Sequence, residues 1–113
     1  MQVLFKSRDP EAAPMRWVVE RRVRFVLRRI SWRVPRAEVQ FSDVNGPRGG
    51  FDKRCQIELR SDGAGPVVVS TVARTWREAL DDALARATRF LQRLWQRLGA
   101  GRRLRRRAIG QEP

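Results

Sequence analysis

The sequence predicts an α+β domain with the element order β-α-β-β-β-α, in which two helices pack on one face of a four-stranded sheet. Two segments, residues 15–30 and 75–98, repeat apolar residues at helical spacing, and three segments between them alternate apolar and polar residues. A chain of 113 residues with 42% hydrophobic residues can bury one core. We therefore divide it into a folded domain, residues 1–98, and a basic, flexible tail, residues 99–113.

The first strand and helix follow from the N-terminal third of the chain. Residues 2–6 are short, apolar and β-prone. Asp9 and Pro10 resemble an N-cap and a first helical position, but Pro14 disfavours helical geometry just before itself, so the helix is expected to begin properly at Pro14. The apolar face of this helix, which we expect to continue through residue 30, consists of Met15, Val19, Val23, Val26, Leu27 and Ile30.

Three strands follow, each with one face that alternates into the core. Such alternation is typical of an antiparallel sheet that is covered on one side. A glycine-rich turn, residues 62–66, separates the second and third of them. The inward positions are predicted to be Ala37, Val39 and Phe41, then Cys55, Ile57 and Leu59, then Val67, Val69 and Thr71.

The last helix has the clearest signals. Thr75 and Glu78 fit a capping box, and an apolar stripe repeats from Trp76 to Leu98. Gly99 and Gly101 predict its end, because glycine favours the conformation that terminates helices.

Both helices carry arginines opposite or beside their apolar faces. A right-handed β-α-β crossover places the first helix on one sheet face, and the last helix needs the same face to bury its stripe. This arrangement predicts that the two arginine rows run along one side of the molecule and border a long basic groove between the helices. The rows are Arg21, Arg24 and Arg28 on the first helix, and Arg86, Arg89, Arg93 and Arg97 on the last.

The charge of the chain favours a polyanionic partner. It has 25 Lys and Arg residues and 12 Asp and Glu residues, which gives a formal net charge of +13. These positive charges repel one another unless a bound anion balances them. The partner could be nucleic acid or an anionic membrane surface. A charged row on one helix alone is more typical of a solvated face, but two rows and a basic tail favour nucleic acid.

Catalysis, cofactors and metals are not expected. The chain has no His and a single cysteine, Cys55, which alternates inward and is interpreted as a core residue. No nucleophile, base and orienting group can be assembled. The N-terminus resembles no signal peptide, and no apolar run approaches the ~20 residues of a membrane span, so we expect a cytoplasmic protein.

The stretch SDVNGPRGGFDKRC, residues 42–55, allows several interpretations. Its Asn-Gly and Gly-Gly pairs and its proline favour a connection between two strands, and it lacks the ending of a phosphate-binding loop. Asp43 and Asp52 could form a catalytic carboxylate pair, but an ion pair between Asp52 and its basic neighbours is the simpler reading. In a further interpretation the loop edge contacts RNA through Arg48, Lys53 and Arg54.

Specific stretches resemble the ribosome hibernation factors, also called ribosome-associated translation inhibitors and formerly sigma-54 modulation proteins. MRWVVERRVRFVLRRI is similar to the first helix of that family, and VVVSTVARTWREALDDALARATRFLQRLWQRL to its last strand and helix, where Trp76 precedes an Ala79-Leu80-Asp81 trio. The stretch SDVNGPRGGFDKRC resembles the second hairpin of a proteobacterial branch. The resemblance covers about residues 1–97 and implies a short form of the family.

The resemblance implies a non-enzymatic inhibitor of translation. Family members bind the small ribosomal subunit in the channel used by mRNA and tRNA and silence ribosomes under stress. It implies rRNA contacts through the arginines of both rows, no cofactor, and a monomer away from the ribosome. The well-studied short factors lack the GPRGG insertion, so their loop contacts do not transfer. Long members carry a second, dimerising domain, and we expect none after Gly99. The alternative is a general nucleic-acid binder, such as a nucleoid or RNA-chaperone protein.

Overall fold

The computed structural model describes residues 1–44 and 52–110, with side chains described within 1–44 and 52–99. The order β-α-β-β-β-α is confirmed, with short 3-10 helices at Pro10–Met15 and Ser31–Arg33. The main elements are β1 (Gln2–Ser7), α1 (Arg16–Val26), β2 (Arg36–Asp43), β3 (Lys53–Arg60), β4 (Val67–Ala73) and α2 (Trp76–Gly110).

The four strands form one sheet in the order β1-β2-β3-β4. β1 and β2 are parallel, with Phe5 opposite Val39, because α1 carries the chain back across the sheet between them. The other neighbours are antiparallel, and Val39, Ile57 and Val69 lie side by side across β2, β3 and β4. The edge strands of the sheet are therefore β1 and β4.

The core lies between the sheet and the two helices, as the alternation predicts. The inward residues of β2 and β3 are completely buried, and Val69 on β4 is partly buried. Phe41 connects the layers, because its ring stacks on Trp76 of α2 at 5.0 Å and meets Phe5 of β1 edge-on at 5.4 Å. α1 packs mainly on β1, whereas α2 packs on β3 and β4.

The first helix differs from its prediction at both ends. Asp9 does act as a cap, accepting a hydrogen bond from the Glu11 N–H at 3.0 Å, but it caps the 3-10 helix, and α1 begins only at Arg16. The prediction that the helix extends to residue 30 is wrong, because α1 ends at Val26. After Leu27 the backbone bonds tighten to three-residue steps, and such turns can keep Ile30 against the core without an α-helix.

The last helix begins as predicted and continues further than predicted. The Thr75 hydroxyl accepts a hydrogen bond from the Glu78 N–H at 3.1 Å, which confirms its capping role. The prediction that Gly99 and Gly101 end the helix is wrong, because α2 runs to Gly110. Among the described residues only Gly63, in the turn before β4, has positive φ, so neither glycine adopts the left-handed cap conformation.

Candidate nucleic-acid interface

The two faces of the molecule differ in how their charges are balanced. On the open face of the sheet, three basic side chains form salt bridges with carboxylates. Lys6 and Arg36 contact Glu38 at 2.9 and 3.4 Å, and Arg60 contacts Glu58 at 3.6 Å. The hydrogen bond from Lys6 holds the pKa of Glu38 below its ordinary value, so this carboxylate stays charged at neutral pH. Each of these three basic residues on the open sheet face therefore has a carboxylate neighbour.

On the helical side of the molecule, few of the arginines form ion pairs with acidic residues. Arg22 of α1 reaches Asp81 of α2 at 3.2 Å, Arg77 shares the same carboxylate at 3.1 Å, and Arg24 pairs with Glu20 at 3.4 Å. The other six predicted arginines of the two rows are exposed, and none makes an ion pair with a carboxylate in the described part of the chain. These six are Arg21, Arg28, Arg86, Arg89, Arg93 and Arg97.

The arginine row of α1 (Arg21, Arg24 and Arg28) borders a depression near the start of α2. Arg21 and Arg24 line a shallow depression of about 610 Å³ together with Phe25 of α1 and Arg77 of α2. Arg24 is partly engaged, because its guanidinium also donates to the Met1 carbonyl at 3.3 Å. Arg28 lies beyond the end of α1, where its guanidinium sits 4.3 Å from the centre of the Phe25 ring. That stacking holds the Arg28 fork at the surface in a fixed orientation.

The α2 row borders a second depression, against the edge strand of the sheet. Arg86, Arg89 and Arg93 line it together with Val68 of β4 and the half-exposed ring of Phe90. Three guanidinium groups around exposed apolar surface suit a ligand that combines negative charge with flat, weakly polar surface, as RNA does. Arg97 continues the row one turn further along the helix.

The two rows do not border one shared groove, and that prediction is wrong. Asp81 marks the flank of α2 that faces α1, because it receives Arg22. Arg86 and Arg93 lie five and twelve residues later, which at 3.6 residues per turn places them about 120–140° around the helix, toward β4. The rows therefore occupy separate depressions of one rigid unit.

The basic residues at the edge of the β2–β3 connection divide between the two faces. The ammonium group of Lys53 contacts Asp43 at 2.8 Å and Asp52 at 3.7 Å, which confirms the predicted ion pair at Asp52. The hydrogen bond to Asp43 raises the pKa of Lys53, and the half-buried ammonium also lies 5.2 Å from the Trp76 ring. This geometry gives Lys53 an internal role and makes it a poor RNA contact.

Arg54 is exposed but lies on the open face of the sheet, where it donates to Ser70 at 2.8 Å. It is therefore separated by the sheet from both arginine rows. Arg48 and the Asn45-Gly46 and Gly49-Gly50 pairs lie outside the described residues, so the role predicted for that loop stays a prediction.

Sequence reasoning missed a third set of residues, at the end of the molecule where the chain enters β2. Arg33 places its guanidinium 4.0 Å from the Trp95 ring and 5.6 Å from the Trp32 ring. Arg22, which connects the helices through Asp81, and Arg77, which contacts the same carboxylate, were missed as well. The signal available in the sequence was the adjacency of tryptophan and arginine in SWR, but periodicity does not connect it with Trp95, which lies on the last helix.

The described residues carry no arrangement that suggests metal binding, and the cysteine is buried. No group of three or more potential metal ligands occurs within 1–44 and 52–99. Cys55 is fully buried on the inward face of β3, as predicted, and burial raises the pKa of its thiol to about 12. No helix in the described part of the chain is both long and apolar enough to cross a membrane. No protein-family model and no curated protein matches this chain.

Proposed function

We propose that this protein is a cytoplasmic, ribosome-associated inhibitor of translation that binds rRNA of the small subunit and occupies the mRNA and tRNA channel under stress. The observation that carries the proposal is the set of six exposed arginines without carboxylate partners on the helical side, whereas Lys6, Arg36 and Arg60 on the open sheet face have such partners. The β-α-β-β-β-α fold agrees with the family that the sequence resembles.

The mechanism is occupancy without chemistry. Arginine forks bind phosphate oxygens in bidentate fashion, and each contact formed releases counterions from the RNA. Because the α1 row and the α2 row border separate depressions, the domain is suited to hold two RNA segments at once. A channel walled by rRNA presents such segments on more than one side. The domain would then be fixed in the channel and would exclude mRNA and tRNA.

The arginine rows alone are also compatible with a general nucleic-acid binder, and one experiment separates the two functions. Labelled protein is sedimented with purified small ribosomal subunits, with or without prebound tRNA and mRNA, while total RNA extracted from the same subunits serves as competitor. We expect binding to intact subunits to resist a mass excess of free RNA and to fall when tRNA occupies the channel. Equal competition by free RNA would establish the general binder instead.

Inhibition by occupancy also predicts the ratio of protein to ribosomes at which translation stops. Translation should stop at about one protein per ribosome and should recover fully after a wash in high salt, because phosphate contacts carry the affinity. Lasting loss of activity at a small molar fraction of protein would indicate an enzyme that cuts or modifies rRNA.

A further inference from the structure

Two indole rings and one guanidinium group come together where the turn after α1 meets the later half of α2. Trp32 and Arg33 belong to the 3-10 helix that leads into β2, and Trp95 belongs to α2. The Arg33 guanidinium lies 4.0 Å from the centre of the Trp95 ring and 5.6 Å from that of Trp32, so it sits beside both rings. The cluster joins residues from distant parts of the sequence at one surface position.

The inner part of this cluster is fixed by contacts with the fold. The indole N–H of Trp95 donates to the hydroxyl of Ser61, which is buried, at 3.2 Å. The Arg33 backbone is held at both ends, since its N–H donates to Ile30 at 3.0 Å and its carbonyl accepts from Asp62 at 3.1 Å. Trp95 and Arg33 therefore form a prearranged platform. A further flat group can stack on it without an additional entropy cost for ordering these two side chains.

The outer member of the cluster is accessible. Trp32 is 78% exposed, the highest value among the large apolar side chains within residues 1–44 and 52–99. Trp17 on α1 is nearly as exposed, at 73%. Trp17, however, makes no cation–π contact with any described residue, whereas the guanidinium of Arg33 lies over the Trp32 ring. The two tryptophans thus have similar exposure but different surroundings.

The lining around Trp32 has the chemistry of a nucleotide site. A depression of about 640 Å³ is bordered by Arg29 and Arg33 as well as by Gln92 and Gln96, and its described lining contains no acid. Arginine can bind a phosphate, and glutamine amides can donate to and accept from a base edge. The backbone of α2 continues past this depression to Gly110, over a stretch whose sequence adds Arg102, Arg103, Arg105, Arg106 and Arg107.

We propose that Trp32, Arg33 and Trp95 form a stacking site for an unpaired base of single-stranded RNA, with Arg29 on the adjoining phosphate. Unstacked bases pack on aromatic rings and on arginine planes, and every base has a face to offer, so the site is tolerant of sequence. It lies apart from the α1 and α2 rows, which bind phosphates of paired or unpaired RNA alike. This site rests on the proposed function, because that function supplies the RNA partner. The site adds that an unpaired base of this RNA is recognised.

The test measures the binding of three RNA ligands to the full chain and to three variants: Trp32→Ala, Trp32→Phe and, as a matched control at another exposed tryptophan, Trp17→Ala. One ligand is fluorescently labelled oligouridylate of roughly 12 nucleotides, within the range of about 4–16 that a single-strand groove covers. Another is the purified small ribosomal subunit. A fully paired RNA hairpin of similar charge completes the set, and thermal unfolding checks that each variant is folded.

Loss of one stacked base predicts a weakening of oligouridylate binding by about 5- to 150-fold in Trp32→Ala. Trp32→Phe should retain most of the affinity, Trp17→Ala all of it, and the paired hairpin should not distinguish Trp32→Ala from the unaltered chain. This pattern supports the site even if the subunit shows no advantage over free RNA, in which case only the proposed ribosomal function fails. If the unaltered chain ignores oligouridylate, if Trp32→Ala binds it unchanged, or if Trp17→Ala loses as much, the stacking site is refuted while subunit binding still decides the proposed function.

Discussion

The α2 row can be tested by removing two of its charges and comparing the result with an equal loss of charge on the other face. In the row variant, Arg89 and Arg93 are replaced by Gln; in the control, Arg54 and Arg60 on the open sheet face are replaced in the same way. Both variants lower the formal net charge by 2, from +13 to +11. All four arginines are exposed, so both variants should fold with a stability within about 0.5 kcal/mol of the unaltered chain.

The expected difference is in the salt dependence of binding to small ribosomal subunits. Each phosphate contact that is lost reduces the magnitude of the slope of log affinity against log salt by about 0.7–0.9, so the row variant should lose about 1.4–1.8. Its disadvantage relative to the unaltered chain should then shrink about 7- to 12-fold as salt rises from about 50 to about 200 mM. The control variant removes arginines that already have a hydroxyl or carboxylate partner, Ser70 and Glu58, and its slope should stay unchanged.

The assay is a binding titration by fluorescence anisotropy at four or more salt concentrations. Near-identical circular dichroism spectra of all three proteins serve as the folding check. An unchanged slope in the row variant would mean that Arg89 and Arg93 are only solvated surface. An equal fall in both variants would mean that net charge, and not the position of the arginines, governs binding. Either result refutes the assignment of the α2 row as an RNA contact.

Further predictions concern the fold. Cys55 should resist alkylation at neutral pH until the protein unfolds, because burial raises the pKa of its thiol to about 12; rapid labelling of the native protein would contradict its core position. Thr75→Ala should lower the free energy of unfolding by about 1 kcal/mol through loss of the helix cap, whereas Thr75→Ser should not, as measured by urea titration. Because Lys6 lowers the pKa of Glu38 below its ordinary 4.5, the folded form binds this proton less readily than the unfolded one, and Glu38 adds stability that is present above about pH 4.5 and lost as pH falls through the lowered pKa. Lys6→Met should raise the pKa of Glu38 in an NMR titration and reduce the acid dependence of stability. Gly99→Ala should stabilise the protein by about 0.5–1 kcal/mol, because Gly99 lies within α2 and a Cβ there meets nothing within 4 Å; destabilisation would contradict a helical Gly99.

The sequence was sufficient for the order of elements and for the inward faces of the strands, because those depend on short-range periodicity. Alternation identified Val39 and Ile57 as core residues, and both are completely buried. The ends of the helices were harder to predict. Leu27 keeps the apolar spacing in a turn that is no longer α-helical, and Gly99 lies within a run of strong helix formers that outweighs its cost of about 1 kcal/mol.

The candidate interface was predictable residue by residue but not in its arrangement. Helical spacing shows that Arg86 and Arg93 share one flank of α2, yet it does not show which flank faces α1. That depends on where α2 crosses the sheet, and its packing on β3 and β4 turns the row toward the edge strand. The cluster of Arg33 with Trp95 depends on tertiary contact alone, so no local pattern could reveal it.

The distribution of charge limits how an RNA can lie against this domain. On the sheet face Lys6, Arg36 and Arg60 lie 2.9–3.6 Å from Glu38 or Glu58, so a phosphate that approaches them would have to compete with these carboxylates. On the helical side the α1 row and the α2 row each offer guanidinium groups without a carboxylate partner, and between the rows Arg22 and Arg77 share the carboxylate of Asp81. One continuous phosphate path across both rows would therefore have to pass this carboxylate. Two RNA segments, one at each depression, meet the unpaired arginines without crossing it, and this is the arrangement that a domain lodged between rRNA elements requires.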